Sequence, residues 1–220
     1  VPLVIVALVV MHLLALHEVG SNNPDGVDIK KLKDEQGKPL DGIPFHPYYT
    51  VHDLVGIVVF LMVFCTVMFF FPEGNGFMLE YANFEPANGL KTPEHIAPVW
   101  YFGAFYAILR AVPDKLLGVA AMGGAIAVLF VLPWLDRSPV RSWRYKGIIS
   151  RVFIVVFAIT FVILTWLGTQ SSDGLFLGLI NNTVMAQICS VIYFGFFLLM
   201  PFYSSMEKTK PVPERVTGGH

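Results

Sequence analysis

Long apolar runs constrain this chain more than any other feature. Val1 to Leu16 is almost continuously apolar. Four further runs cover Leu54 to Phe71, Leu116 to Leu135, Ile148 to Leu167 and Leu175 to Met200. Crossing a hydrocarbon core ~30 Å thick takes about 20 such residues. Lipid offers the backbone no partners, so segments of this length cross as helices. The composition agrees: 55% of residues are hydrophobic, 14% are charged and Phe alone numbers 19. Such a chain is not an ordinary soluble domain. The expected fold class is an all-α integral membrane protein with five spans. Pro72, Asp136-Arg137 and Pro201 are the expected stops for the second, third and fifth.

The first run, residues 1–17, is slightly short for a span and reads as truncated at its front. It lacks the basic leader and small-residue cleavage site of a signal peptide, and it carries a histidine. The formal net charge of -1 gives no basic bias, so no nucleic-acid partner is expected. Cys65 and Cys189 lie inside apolar runs without CxxC spacing and read as small buried hydrophobes.

Lys and Arg set the orientation. Lys30, Lys31, Lys33 and Lys38 lie in the loop 18–53. Arg137, Arg141, Arg144, Lys146 and Arg151 follow the third span, and Lys208, Lys210 and Arg215 lie in the tail 201–220. The other side holds Lys91, Arg110 and Lys115. The cation-rich side is expected to face the cytoplasm or matrix. The segment 72–115 then lies outside and is too long for a simple connector. Within it, Trp100 to Leu109 is apolar but too short to span. It is expected as a short interfacial helix, with Trp and Tyr at headgroup level.

Several residue patterns bear on chemistry. His12 sits inside the first apolar run, where an imidazole is costly without a partner. It suits either a metal ligand or a packing histidine bonded to a neighbouring helix. His17 lies five residues on, ~140° around the helix, so it has a separate role. Gly20 followed by Pro24 is an ordinary helix stop. Thr50-Val51-His52-Asp53 resembles a capping box opening the second span. His17, Ser21 and Asp53 are nevertheless expected at one membrane surface, where they could bind and protonate a small polar head group. The stretch His95 to Arg110 reads first as an aromatic interfacial anchor. Gly118, Gly123 and Gly124 are expected at close helix contacts, and Asn181, Asn182 and Gln187 as interhelical hydrogen-bond formers.

Three stretches together resemble cytochrome b of the respiratory cytochrome bc complex (complex III, ubiquinol–cytochrome c reductase). His12-Leu-Leu-Ala-Leu-His17-Glu-Val-Gly-Ser-Asn-Asn-Pro24 looks like the end of that family's fourth helix. Ile43-Pro-Phe-His-Pro-Tyr-Tyr-Thr-Val-His-Asp53 looks like the start of its fifth. Thr92-Pro-Glu-His-Ile-Ala-Pro-Val-Trp-Tyr101 with Tyr106-Ala-Ile-Leu-Arg110 looks like its outer quinol-site loop. The resemblance implies the end of the fourth helix plus the last four of an eight-helix cytochrome b, hence a fragment inactive alone. The small subunit of the photosynthetic b/f-type complex is the alternative. It lacks a fourth-helix histidine and a last helix like 175–200. A non-redox, proton-coupled transporter is the other alternative, and it predicts no haem spectrum.

Carried over by position, the resemblance makes His12 an axial ligand of the iron of one haem b, the high-potential one. The full-length protein would hold two. His17, Ser21, Asn22 and Asp53 would form the inner quinone site, with His17 and Asp53 delivering protons and His52 nearby. Pro98, Trp100, Tyr101, Phe102 and Tyr106 would form the outer quinol site, with Tyr106 taking part in catalysis. Lys115 would face the iron–sulfur (Rieske) protein. Quinol oxidised outside would send one electron to that protein and one through the haems to quinone inside, coupled to proton translocation. Further implied partners are the missing N-terminal half of cytochrome b, a cytochrome c-type subunit, lipid, and a second copy in a homodimeric complex. The charged insert 24–42 points to a bacterial inner membrane, with the mitochondrial inner membrane as the alternative. One departure stands out. The family usually has glutamate where this chain has Val99, so proton acceptance there falls to Glu94, His95, Tyr101, Tyr106 or an ordered water.

Overall fold

The computed structural model describes residues 1–21, 23–74, 84–91 and 96–216. Helices α1 (Pro2–Val19) and α2 (Tyr48–Phe70) come first. A 3-10 turn (Trp100–Phe102) leads into α3 (Gly103–Ala111). Then follow α4 (Lys115–Ala127), a 3-10 stretch (Val128–Val131), α5 (Leu132–Leu135) and α6 (Ile148–Thr169). A two-strand hairpin, β1 (Leu175–Phe176) and β2 (Ile180–Asn181), precedes α7 (Asn182–Met206). Among the described residues, five helical segments are long and apolar enough to cross a membrane: α1, α2, Lys115–Leu135, α6 and α7.

The chain divides into two compact units. The first comprises Val1–Ile43, Ser138–Gly147 and Lys208–His220. Helix α1 is apolar on every face except at His12, His17 and Glu18, and it buries none of its residues. It ends at Gly20, which takes φ 88°, a conformation that favours glycine. Lys30 Nζ donates to Glu18 O at 2.7 Å, a cation at a helix C-terminus where the dipole favours it. Asp25 ties the loop 138–147 to the first loop. Its carboxylate meets Arg144 Nη1 at 3.2 Å and accepts from Tyr145 Oη at 2.9 Å. Ser142 Oγ also donates to Pro24 O. Arg215 pairs with Asp41 at 3.2 Å, and Lys210 N donates to Tyr145 O at 2.8 Å, which joins the tail. The Asp25 carboxylate pushes the Tyr145 phenol above its ordinary value, because only the neutral phenol can donate to it. That contact is fully present below the ordinary phenol value and is lost as pH rises through the raised one.

The second unit comprises Pro44–Arg137 and Ile148–Glu207. Helix α2 buries none of its residues. The core forms where α3, α6 and α7 meet. Ala104, Ala107, Ile108 and Ala111 of α3 are buried with Leu164 and Leu167 of α6 and Ala186, Cys189, Tyr193 and Phe197 of α7. Apolar burial drives nothing inside lipid, so close backbone contact between small residues does much of the work. A Cβ on Gly103 would lie 2.5 Å from Thr165 O, and one on Gly168 would collide with Gly103 O. Tyr193 Oη donates to Ala125 O at 2.9 Å and ties α7 to α4.

Several local expectations differ from the structure. Helix α2 starts at Tyr48 rather than at a Thr50–Asp53 capping box; Pro47 precedes it and no side chain caps it. Proline's fixed φ suits a helix start, where its missing N–H goes unused. Thr50 and Asp53 are interior to α2. Leu175 to Asn181 is a hairpin rather than the start of the last span. Leu177 and Gly178 both take positive φ there, and the Asn181 side chain accepts from Thr183 N to open α7. Pro201 does not stop α7, which runs on to Met206. In lipid a helix continues past proline because leaving it exposes more backbone, and hydroxyls help nearby. Ser204 Oγ donates to Met200 O at 2.6 Å and accepts from Arg137 N at 3.0 Å. A Cβ on Gly118 would lie 2.6 Å from Leu109 O, but Gly123 faces open space and Gly124 meets only a distant ring carbon. Cys189 is buried while Cys65 is exposed.

Glu207 makes a contact that no motif announced. It is 7% exposed and accepts from Ser150 N at 3.1 Å and Ser150 Oγ at 2.8 Å. Its charge sits at the N-terminus of α6, where the helix dipole favours it. Glu207→Leu strands two buried donors and is expected to cost at least about 2 kcal/mol. Thermal unfolding of the intact protein measures this, with Glu207→Gln expected to lose less.

Candidate functional site

His12 lies mid-way along α1 and is exposed, as are its helical neighbours. Among the described residues it makes no hydrogen bond. Its imidazole therefore stands among apolar side chains, with both ring nitrogens unengaged among the described residues. His17 lies in the last turn of α1 and Ser21 just beyond it, both exposed in the first unit. Asn22 lies outside the described residues. Asp53 belongs to the second unit, on the second turn of α2, and is exposed. His52 beside it presents its ring edge to Tyr49, with centroids 6.1 Å apart.

Most of the outer set lies in one short stretch. Pro98 is half-buried, and Val99, Trp100, Tyr101 and Phe102 are exposed. Trp100 meets Tyr101 edge-on at 5.7 Å, and Tyr101 lies 4.8 Å from Phe102. These rings form an exposed aromatic strip at the start of α3. Tyr106 is half-buried one turn further on, and the Arg110 guanidinium lies 4.7 Å above its ring. Glu94 and His95 lie outside the described residues. Lys115 is exposed at the start of α4.

Arg110 was visible beforehand only as a charge and as the end of a motif. Its Nη2 donates to Leu167 O at 2.6 Å and its Nη1 to Gln170 O at 2.9 Å. It therefore caps the C-terminal carbonyls of α6 and pins α3 beneath the aromatic strip. Gln187 Nε2 donates to Ala111 O at 2.9 Å, so α7 holds the end of α3 too. Asn182 Nδ2 donates to Ser171 O at 2.8 Å. Gln187 and Asn182 thus link elements, while Asn181 caps its own helix.

The family described as Cytochrome b(C-terminal)/b6/petD matches residues 86–194. Cytochrome b of Allochromatium vinosum is 55% identical over 98% of this chain and 53% of its own length. The chain belongs to the cytochrome b family. Cytochrome b of Rickettsia bellii is 45% identical over 98% of this chain, and that of Kluyveromyces lactis 44% over 94%. The matches cover 50% and 49% of those relatives. A solved chain of a hyperthermophilic respiratory complex III is 36% identical, with a TM-score of 0.79 over 94% of this chain and 49% of that one. The chain thus spans about half the length of the cytochromes b it matches and corresponds to their C-terminal part. Five apolar helices and this family make it an integral membrane protein.

Proposed function

We propose that this chain serves as the C-terminal part of cytochrome b in a quinol–cytochrome c oxidoreductase of a bacterial inner membrane. One observation carries the reading: His12 stands exposed at the middle of an apolar helical stretch, without a hydrogen-bond partner among the described residues. An imidazole in that setting marks a functional site. Haem b fits this donor. When haem b is bound, the neutral imidazole of His12 would hold its iron. When bound, the haems carry single electrons across the membrane.

This chain's own side chains bind and orient quinones and move protons. On the inner side, similarity to cytochrome b by position assigns proton delivery to His17 and Asp53 and head-group binding to Ser21 and Asn22. At the outer side, Pro98 and the rings of Trp100, Tyr101 and Phe102 pack around quinol, and Tyr106 offers its hydroxyl. Val99 has no acceptor, so the quinol proton leaves through Glu94, His95, Tyr101, Tyr106 or water. The iron–sulfur protein takes the other electron near Lys115.

The intact complex tests this. Two b-type signals in a reduced-minus-oxidised spectrum and inhibitor-sensitive quinol oxidation are expected. No haem signal would bring the proton-coupled transporter forward. At the outer site, Tyr106→Ala is expected to slow quinol oxidation by roughly tenfold or more. Val99→Glu is expected to shift its pH profile, because it inserts a titrating proton acceptor. If Glu94→Gln, His95→Ala, Tyr101→Phe and Tyr106→Phe all keep both rate and pH profile, no side chain here accepts that proton.

A further inference from the structure

The clamp at Arg110 contains an incomplete hydrogen-bond set. Its two terminal nitrogens are engaged by the α6 carbonyls, and Nη1 also lies 3.4 Å from Ser172 Oγ. Its Nε is buried without a partner among the described residues. Asn182, 6% exposed at the start of α7, has the complementary deficit. Its Oδ1 is buried and unpartnered among the described residues. The amide orientation is fixed by chemistry, because a flipped amide would set Oδ1 against the Ser171 carbonyl that Nδ2 now satisfies.

Both residues line one small cavity, together with Ser172 and Thr183. Its volume is about 10 Å³, room for one water. A buried donor and a buried acceptor beside the same polar cavity are what a bridging water satisfies. A dry cavity would leave both costs standing, and native structures rarely do so.

We propose that one water occupies this cavity, accepting from Arg110 Nε–H and donating to Asn182 Oδ1. It completes the clamp, making Arg110 and Asn182 positioning residues for Tyr106. The guanidinium is then held by α6 through two carbonyls and by α7 through the water. It cannot swing, and the ring of Tyr106 beneath it is fixed in place. The kinetic consequence, though not the water, rests on Tyr106 belonging to the outer quinol site.

The test uses the intact complex, imaged at a resolution that shows ordered water. The expected map has a peak within about 2.7–3.2 Å of both atoms. A cavity without that peak, both atoms still buried, overturns the proposal. Asn182→Leu removes the acceptor; it is expected to displace the Tyr106 ring and raise the quinol KM roughly threefold to tenfold with kcat little changed. Asn182→Gln keeps both the amide oxygen and the N–H that Ser171 O accepts from, and is expected to bring KM back toward the unmutated value. An Asn182→Leu complex with an unmoved ring overturns the positioning role. If the ring moves while both Asn182→Leu and Tyr106→Ala leave KM and kcat unchanged, the clamp stands and the outer-site reading of Tyr106 falls. Where Asn182→Leu fails to assemble, the water peak and the Asn182→Gln ring position decide.

Discussion

His12→Ala in the full-length parent protein is expected to abolish the higher-potential b-type signal and leave the lower-potential one. The other imidazole of helix α1, His17, lies ~140° around the helix in its last turn, and the neighbours of His12 at mid-helix are Leu, Val, Ala and Met. Among these only a methionine, Met11, has a ligand atom, and it lies ~100° away around the helix. Alanine leaves the helix intact, because it is the strongest helix former and His12 is exposed with no hydrogen bond among the described residues. The loss would therefore report on ligation rather than on folding. A reduced-minus-oxidised visible spectrum, titrated against potential, separates the two signals. If both persist, His12 is a packing residue, and the positional carry-over to His17, Ser21 and Asp53 fails with it.

Gly168→Ala is expected to cost about 3 kcal/mol or more, or to prevent assembly. The new methyl would be driven into the carbonyl of Gly103, which is backbone and cannot rotate away. Relief requires α3 to lift from α6. That movement would break the Arg110 bonds to Leu167 O and Gln170 O and disturb the aromatic strip ahead of α3. Gly123→Ala is the control. Nothing lies within 4 Å of its Cβ position, and alanine favours the helix by up to about 1 kcal/mol. Thermal loss of the haem spectrum in the two variants measures the difference. Equal stability would mean that α3 and α6 do not meet at their backbones in the assembled protein.

How much of the site could be read in the chain differs from residue to residue. Tyr106 and Arg110 share one motif, and their spacing of four places them on one face of α3, so their contact follows from helix geometry. The partners of Arg110 do not. Leu167 and Gln170 lie 57 and 60 residues away, and only packing brings them near. Gln187 and Asn182 suggest bonds between helices by residue type alone, yet their acceptors, Ala111 O and Ser171 O, required the fold. Glu207 looked like one more charge in a tail. It is a buried cap because α7 runs past Pro201 and brings that carboxylate to the start of α6.

Sequence by itself determined the membrane class, the number of long apolar segments, the end of α1 at Gly20 and the family. Each of these depends on residues close together along the chain: summed hydropathy, a glycine at positive φ, a run of motif letters. Only the tertiary structure decided that α7 begins at Asn182 and passes through Pro201, that Gly168 but not Gly123 is a backbone contact, and that Arg110 reaches α6. Those outcomes depend on which surfaces meet. Helix propensity and apolar length carry no term for a neighbour 60 residues away, whereas packing and the need to satisfy every buried polar group do.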